Sequence, residues 1–298
     1  MKGIIIIPKF YKETWLRGDN NSSVWAPLFY GIEDYFNFKI VFADEVNISS
    51  DIDLVIMFGV PYHNRKELIP GILDIDKNIK LIMFTGDLQC YDDFLCLSNK
   101  IKVFDRCDLI ISFSNEYFVE MYPQFLHKYV FMPHFFSTYE RYSKFEFDNV
   151  RIMRCLFCGS INKDVYPLRH FVVTHKNENL DYHFPKYKGN DYPNLLNSYF
   201  CCLATSSIFN YVLAKYFEIM ATGSLLLANE TKDSKKVGLI PYKHYVPINK
   251  KNVFDKINMC LKEPEVYNKI RKTGMEFVRK NHSVLNRLTL FKKLINNL

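Results

Sequence analysis

The sequence is poor in the residues that mark fibrous and low-complexity chains. Among 298 residues there are only 11 Gly and 12 Pro, without a fixed period, which excludes a collagen-like or low-complexity chain. Apolar residues make up 48% of the chain, with 26 Phe and 20 Tyr, which is more than a disordered chain carries. The composition therefore predicts a folded protein, and the length is sufficient for two domains or one large one.

Long hydrophobic runs are also absent. A transmembrane helix needs about 20 consecutive apolar residues, and no stretch of the sequence approaches that length. The opening run Ile4–Ile7 ends at Pro8, which makes it too short for the apolar region of a secretion signal. Eight cysteines in a chain of this length do not suggest a disulfide framework. We therefore expect reduced thiols, a cytoplasmic location and no transmembrane segment.

Charge is distributed unevenly along the chain. Residues 1–149 hold 15 Lys/Arg and 21 Asp/Glu, whereas residues 150–298 hold 24 and 11, so the net charge of +7 joins an acidic half to a strongly basic one. The second half is therefore the one suited to an anionic partner. The basic run Lys232–Lys251 lacks a DNA- or RNA-binding signature, so solvated surface or membrane-proximal charge is the preferred interpretation. We expect no nucleic-acid partner, and peripheral membrane contact stays open.

The order of elements predicts an α/β fold. Short, almost continuously apolar runs typical of buried parallel strands alternate with helical segments, and this is the doubly wound pattern. In the first half the predicted strands are Gly3–Ile7, Lys39–Phe42, Leu54–Phe58, Lys80–Phe84, Leu109–Phe113 and Tyr129–Met132. In the second half they are Ile152–Phe157, Tyr199–Ala204 and Ser224–Ala228, followed by three helices after Pro247.

A stretch without clear periodicity, Pro133–Val150, separates the two halves. We therefore expect an N-terminal Rossmann-like domain over residues 1–140 and a C-terminal Rossmann-like domain over residues 150–282. Residues 283–298 form a final helix, which could pack back toward the first domain. A ligand cleft between the two domains is expected, at the carboxyl ends of the strands.

The segment Lys215–Ala228, KYFEIMATGSLLLA, is the most informative motif. It predicts a helix that ends near Gly223 and is followed at once by a buried strand. Lys215 and Glu218 are three residues apart and so lie on roughly the same helix face. The motif resembles the donor-binding signature of GT-B glycosyltransferases, in particular the group-1 branch that includes the CgeB-like proteins.

Other segments of the second half carry the same resemblance in the same order. Upstream they are Phe157–Ser160, Tyr166–Arg169 and Asp191–Ser198; downstream they are Gly238–Pro247, Lys262–Glu265, Ile270–Gly274 and Asn281–Ser283. The first half resembles the family only in architecture, as expected if it holds a variable acceptor. The resemblance implies a GT-B fold in which two Rossmann-like domains face a cleft.

The resemblance also implies roles for individual residues in binding a nucleotide diphosphate sugar. Glu218 matches the glutamate that accepts hydrogen bonds from the ribose hydroxyls, and a carboxylate suits a vicinal diol because it can accept from both. Lys215 matches a basic position directed at the diphosphate. Gly159 and Ser160 end the first strand of the second domain, where the backbone can approach phosphate oxygens. From the residues alone, Glu218 could also belong to the exposed face of an amphipathic helix.

Further donor-site candidates follow from the same comparison. Lys163 and Arg169 are expected to contact phosphate, and Thr222, Gly223 and Ser224 to face the cleft from the turn between helix and strand. Asn210 occupies the position where many group-1 members carry a second glutamate near the transferred sugar. An amide can hold a sugar hydroxyl, but it cannot be a carboxylate nucleophile or base. The resemblance slightly favours retention of configuration over inversion, and Asn210 weakens that inference.

Acidic residues of the first half are candidates for the general base that activates an acceptor hydroxyl. Asp87 follows the strand Lys80–Phe84 and is expected at its carboxyl end. Asp19 lies in a polar loop after the first strand. Metal ligation is not expected: Cys155 and Cys158 have zinc-like spacing but sit in a predicted strand without a second ligand pair, so core thiols are the better interpretation. His134 and His244 are lone histidines, which are more often structural.

The sequence therefore predicts a metal-independent glycosyltransferase with no permanently bound cofactor. Its donor would be a nucleotide diphosphate sugar, with UDP- or GDP-sugars favoured, and its acceptor a hydroxyl of a glycan, lipid or protein glycan. Two alternatives remain open at this point. One is a GT-B nucleotide-sugar epimerase, and the other is a non-catalytic module that binds nucleotide sugars or glycans.

Overall fold

The computed structural model describes residues 1–12, 15, 24–60, 67–86, 88, 94–137, 139–148, 151–183 and 191–298. The described residues form two compact units, the first ending at Pro133 and the second running from His134 to Leu298. The aperiodic stretch expected to separate the domains, Pro133–Val150, begins at this division, and its described residues from His134 onward belong to the second unit. The C-terminal helix belongs to the second unit as well.

The first unit is built on a parallel sheet. Among the described residues it has six strands: β1 Gly3–Ile7, β2 Lys39–Phe42, β3 Leu54–Phe58, β4 Lys80–Phe84, β5 Leu109–Ser112 and β6 Tyr129–Phe131. Their order in the sheet is β2-β1-β3-β4-β5-β6, and every neighbouring pair is parallel. All five residues of β3 are buried, which explains why this strand reads as an unbroken apolar run.

Helices cover this sheet. They are α1 Ala26–Phe36, α2 Phe94–Arg106 and α3 Glu116–Met121, with 3₁₀ turns at Lys9–Tyr11 and Pro123–Lys128. An aromatic cluster forms part of the core: the ring of Phe29 lies 4.9 Å from that of Phe84 and 5.4 Å from that of Phe58. The many Phe residues of the sequence therefore serve the core here.

The second unit has a parallel sheet with a different strand order. Among the described residues its strands are β7 Ile152–Cys158, β8 Leu180–His183, β9 Tyr199–Ala204, β10 Leu225–Ala228 and β11 Val246–Pro247, in the order β11-β10-β9-β7-β8. The chain runs from β7 outward to β8 and then crosses to the other side of β7 to form β9. The carboxyl ends of β7 and β9 therefore flank the point where the direction reverses, which is the usual place for a ligand in open α/β sheets.

The helices of the second unit are α4 Tyr139–Ser143, α5 Pro167–Thr174, α6 Asp191–Ser198, α7 Ala214–Ala221, α8 Val253–Lys262, α9 Pro264–Asn281 and α10 Val284–Ile295. Residues of α5 and α8 share a core cluster with alternate residues of β7, β9 and β10. The hydroxyl of Ser283 accepts a hydrogen bond from the backbone N–H of Asn286, and the Asn286 side chain caps in return, so α10 begins where the sequence predicted.

Buried arginines hold the loops of the second unit. Arg151, Arg271 and Arg287 are 9%, 1% and 5% exposed, and each donates at least one hydrogen bond to a backbone carbonyl oxygen far away in the sequence. The acceptors are Asn197 and Thr222 for Arg151, Gly223 and Asp148 for Arg271, and His134 and Asn281 for Arg287. We call this set, together with Arg169 described below, the arginine clamps. Part of the basic excess of the second half is therefore structural.

Several elements differ from the prediction for local reasons. Helix α5 begins at Pro167, because a proline suits the first helical position. Strands β8 and β11 lie at the two edges of their sheet. β8 is partly polar and β11 has only two residues, one of them a proline, so neither sequence gives a strand signal. No helix among the described residues has the length and apolarity required to cross a membrane.

Candidate functional site

The loops that follow the strands of the second sheet meet at its carboxyl edge. Gly159 follows β7, Thr205 follows β9 and Asn229 follows β10. Helix α7 starts shortly after β9 and runs from this edge toward the amino end of β10, so its first turn lies at the carboxyl edge. Lys215 is in that first turn, and Glu218 is about one turn deeper.

Glu218 is a buried carboxyl group with a defined partner. Its side chain is 5% exposed, and the hydroxyl of Tyr142, from α4, donates a hydrogen bond to Oε1 over 3.3 Å. Burial raises the pKa of Glu218 to about 7, whereas the charge of Lys215 and the Tyr142 hydrogen bond act in the opposite direction. Near neutral pH this group can therefore exist as a carboxylate acceptor or as a protonated acid.

Lys215 lies against the end of β7. Its Nζ donates a hydrogen bond to the carbonyl oxygen of Cys158 and lies 5.6 Å from the ring centroid of Tyr192, from α6. Burial lowers the pKa of Lys215. A Cβ at Gly159, where φ is +155°, would lie 3.1 Å from Nζ. The glycine therefore leaves room for the ammonium group beside the strand end.

Arg169 is the fourth arginine clamp. It is 4% exposed, and its Nε and Nη2 donate to the hydroxyl and carbonyl oxygens of Thr205 at 3.1 and 2.7 Å, while Nη1 donates to the carbonyl oxygen of Ser160 at 3.4 Å. The guanidinium carbon lies 3.6 Å from the ring centroid of Tyr166. This side chain ties the loops after β7 and β9 together, with its charge close to Gly159.

Other predicted donor residues lie on the surface of the same edge. Ser160 and Lys163 are exposed in the loop between β7 and α5. Asn210, in the loop after β9, has a left-handed backbone with φ of +58° and lines a cavity of about 460 Å³ together with Ser206 and Ser207. The carboxyl edge therefore brings together Gly159, Ser160, Lys163, Arg169, Asn210 and Lys215.

Thr222, Gly223 and Ser224 lie elsewhere, and their predicted position is corrected. They connect the end of α7 to the start of β10, and the turn before a parallel strand lies at the amino edge of the sheet. All three are buried and bonded within the protein. The Thr222 hydroxyl donates to the Ile219 carbonyl at 2.8 Å, and the Ser224 hydroxyl donates to the Tyr199 carbonyl at 2.9 Å. The Gly223 carbonyl accepts from Arg271. Their geometry supports a structural role.

The two candidate bases, Asp87 and Asp19, lie outside the described residues, and their assignment stays a prediction. Two residues that the sequence did not single out flank Glu218. Tyr142 donates to it, and the buried hydroxyl of Tyr192 has no hydrogen-bond partner within the described ranges. Tyr142 belongs to the aperiodic stretch, which gave no signal, and Tyr192 lies in Asp191–Ser198, one of the segments that carry the family resemblance.

The cysteines and histidines have structural surroundings. Cys155, Cys158, Cys201 and Cys202 are buried free thiols, as predicted, and burial raises the pKa of each. The His244 ring stacks on Phe277, with 4.1 Å between centroids. Within the described ranges, no group of three or more His, Cys, Asp or Glu side chains is arranged to hold a metal ion.

Comparison with known proteins supports the sequence resemblance. Residues 151–293 match the family described as "Glycosyl transferase-like". This segment contains the carboxyl-edge residues described above. No curated protein sequence matches the chain.

Solved structures match the chain over its whole length. A sucrose-phosphate synthase from Thermosynechococcus elongatus is 10% identical, with a TM-score of 0.72 and coverage of 100% of this chain and 99% of that one. HepE from Anabaena, solved with UDP-glucose, is 11% identical, with a TM-score of 0.65 and coverage of 99% and 100%. An α1,3-fucosyltransferase solved with GDP is 13% identical, with a TM-score of 0.57 and coverage of 99% and 90%. These likenesses confirm the predicted fold.

Proposed function

From the GT-B fold of the chain and the glycosyl transferase-like match of residues 151–293, we propose that this protein transfers a sugar from a nucleotide diphosphate sugar to an acceptor hydroxyl. The observation that carries the proposal is the pair on α7: a buried carboxyl at Glu218 and, one turn closer to the carboxyl edge, the ammonium of Lys215 beside Gly159. A carboxylate that accepts hydrogen bonds from a vicinal diol, with a cation one helical turn away, suits a ribose joined to a diphosphate.

We assign the donor contacts accordingly. The Glu218 carboxylate accepts hydrogen bonds from the two ribose hydroxyls. Lys215 binds the diphosphate, together with the backbone at Gly159 and Ser160 and the N–H groups of Ala214 and Lys215 at the start of α7. Lys163 and Asn210 complete the site, the latter toward the transferred sugar. HepE binds UDP-glucose and the fucosyltransferase binds GDP, which supports UDP- and GDP-sugars as the first donors to test.

In the proposed reaction the bond between the anomeric carbon and the diphosphate breaks, and a new bond to the acceptor oxygen forms. The acceptor hydroxyl gives up its proton, and the nucleoside diphosphate leaves with the bonding electrons. Lys215 and the helix amides stabilise the negative charge that develops on the leaving group, without requiring a bound metal ion. Asp87 and Asp19 remain the proposed general bases that take the proton from the acceptor hydroxyl. We propose that this hydroxyl belongs to a glycan. We also propose that the reaction takes place in the cytoplasm.

The test is a thermal-shift screen with UDP-, GDP-, ADP- and TDP-sugars on the wild type and on Glu218→Ala. A ligand that binds only the folded state raises the melting temperature, by an amount that grows with its concentration. We expect one class of donor to raise it in the wild type and to lose most of this effect in the variant. Circular dichroism confirms that the variant is folded. An unchanged shift in Glu218→Ala would show that the assignment of this residue is wrong.

Product analysis separates the proposed transferase from its alternatives. With donor and acceptor present, we expect a glycosylated acceptor and free nucleoside diphosphate. An epimerase would convert the nucleotide sugar without any acceptor. A non-catalytic module would bind the donor without releasing nucleoside diphosphate, even after long incubation.

A further inference from the structure

A loop of the second unit holds an exposed aromatic residue in a strained conformation. Tyr242, between β10 and β11, has φ of +57° and is 54% exposed. Bulky side chains rarely adopt the left-handed region, and such strain persists only where the surroundings enforce it. Here the Tyr242 N–H donates to the Tyr245 carbonyl at 2.8 Å, and His244 stacks on Phe277 of α9. The ring of Tyr242 is therefore presented to solvent by a rigid loop.

The ring forms one wall of a cavity of about 400 Å³. The other walls are Asn229, Glu230, Pro247, Ile248, Asn249 and Asn252. Asn229 and Asn249 also line the 460 Å³ cavity that contains Asn210. We call the two cavities with these shared walls the amide groove. It follows the carboxyl ends of β9, β10 and β11.

Two asparagines of the groove, Asn249 and Asn252, are held in place by hydrogen bonds yet retain hydrogen-bonding capacity. The Asn249 Oδ1 accepts from the Lys251 N–H, and the Asn252 Oδ1 accepts from the Asn249 N–H, both at 2.8 Å. Among the described residues, the hydrogen bonds of these two side chains use only their oxygen atoms, so both side-chain NH₂ groups remain available to a ligand. The groove therefore offers oriented amide donors that need no rearrangement before a ligand binds.

The charges on the groove favour a neutral ligand. One carboxylate, Glu230, and two lysines lie at its walls: Lys250 lines the larger cavity, and Lys256 Nζ lies 5.3 Å from the Tyr242 ring centroid. With one carboxylate and two lysines the groove carries a net formal charge of only +1, which is too small to attract a polyanion. An aromatic face beside amide and carboxylate groups matches a pyranose ring, whose C–H face is apolar and whose edge carries hydroxyls.

We propose that the amide groove binds a neutral oligosaccharide, with one sugar ring stacked on Tyr242 and the hydroxyls of the chain bonded to Asn249, Asn252 and Asn210. This inference rests on the proposed function, since it identifies the bound glycan with the acceptor. The groove shares Asn210 with the proposed donor site but does not include Glu218, Lys215 or Gly159. Substitutions at Tyr242 and Asn252 therefore leave the proposed nucleotide contacts intact.

The experiment measures binding of maltotetraose, cellotetraose, chitotetraose and mannotetraose to the full chain by saturation-transfer NMR and calorimetry. We expect at least one of them to bind, with saturation transfer concentrated on one sugar ring. Tyr242→Asn removes the ring and suits the left-handed backbone, so the fold is retained and the affinity falls at least about tenfold. Asn252→Asp keeps the acceptor for the Asn249 N–H but removes the donor, and we expect a similar loss.

Ile240→Ala is the matched control, because Ile240 is 47% exposed on the same loop but does not line the groove. It should bind the oligosaccharide as the wild type does. Absence of binding for all four tetrasaccharides, or unchanged affinity in Tyr242→Asn, would overturn the proposal. So would binding to phosphatidylglycerol vesicles that both Tyr242→Asn and Ile240→Ala weaken, because the loop would then be a membrane contact. The nucleotide-sugar thermal shift of Tyr242→Asn is measured as well. If that shift persists while no oligosaccharide binds, the glycan proposal fails and the proposed function stands.

Discussion

The protonation state of one side chain, Glu218, controls the chemistry of the proposed donor site. A carboxylate accepts hydrogen bonds from both hydroxyls of a ribose, whereas the protonated acid must use one oxygen as a donor. Burial raises the pKa of this group to about 7, so the two forms exchange in the physiological range. Tyr142 limits the rise because its hydroxyl bonds to the ionised form.

We therefore predict pH-dependent donor binding. The fraction of ionised Glu218 falls as the pH drops through about 7, so the affinity for a UDP-sugar should fall about tenfold for each pH unit below that value and level off above it. Tyr142→Phe removes a hydrogen bond that lowers the pKa, so the midpoint should move to higher pH. Calorimetric titrations from pH 5.5 to about 9 measure both effects, with Glu218→Gln as the variant that removes this titration.

Tyr199→Phe is the matched control for the tyrosine substitution. The Tyr199 hydroxyl bonds to Asp181 at 3.0 Å and belongs to β9, away from Glu218. In Tyr199→Phe, the midpoint of the pH dependence of donor binding should equal that of the wild type. The interpretation fails if Tyr142→Phe and Tyr199→Phe have the same midpoint.

At the scale of elements, α9 supports the loop that carries Tyr242. A Cβ at Gly274 would lie 2.4 Å from the carbonyl oxygen of His244, a distance that real side chains do not reach. The helix can therefore approach the loop only because residue 274 has no side chain. The contact involves backbone on the loop side, which cannot move aside as a flexible side chain could.

Gly274→Ala should consequently destabilise the protein although alanine favours helices. We expect a loss of about 2 kcal/mol in the free energy of unfolding, from overpacking that exceeds the helix-propensity gain of about 1 kcal/mol. The free energy of unfolding is measured by urea titration, with circular dichroism as the signal. Lys272→Ala, two positions earlier on an exposed part of α9, should change stability by less than about 0.5 kcal/mol. Equal stability of the two variants would refute the close-contact explanation.

The elements differ in how far their sequences predicted them. β3 and β9 were predicted with their observed bounds, because runs buried on both faces leave a continuous apolar signal. Helix α4 was not predicted, because its five residues, YERYS, are too few to show a helical pattern of apolar residues. Contacts with the rest of the unit hold it in place. Thr222–Ser224 lie at the opposite edge from the one predicted, because a turn that leads into a parallel strand lies at the amino end of that strand.

The candidate site was predictable to the extent that it is local. Lys215 and Glu218 share one short helix, and Gly159 directly follows one strand, so spacing and family resemblance identified them. Tyr142 reaches Glu218 across 76 positions of sequence, and only tertiary packing creates that contact. The amide groove likewise joins loops after three different strands. The hydrophobic pattern of a single segment cannot predict contacts between residues that are this far apart in the sequence.

For the whole molecule, the basic excess of the second half has two separate uses. Some arginines are buried in the arginine clamps, where their donors are occupied by backbone carbonyls. They cannot contact a polyanion without disrupting loops. The remaining lysines are spread over loops and helices, and no described face carries a recognised nucleic-acid motif.

Binding to small and to polymeric anions should therefore respond differently to salt. We expect the affinity for a UDP-sugar to fall by less than about tenfold between roughly 50 and 200 mM KCl, since one diphosphate is involved. A protein that contacts six to ten DNA phosphates loses about 10³ to 10⁵ in affinity over that range. Fluorescence titration with a duplex DNA provides the comparison. Tight duplex binding with the steep dependence would make nucleic acid the principal partner.

The arginine clamps also make the folding state of the second unit accessible to chemical labelling. Dicarbonyl reagents modify guanidinium groups that solvent reaches, and Arg169, Arg271 and Arg287 are 4%, 1% and 5% exposed. Each of these arginines becomes reactive only when local unfolding breaks its hydrogen bonds to the loop carbonyls and exposes the guanidinium group. Peptide mass spectrometry after graded labelling would then rank the loops by how often they open. The same side chains that reduce the charge available to partners thus act as built-in reporters of local unfolding.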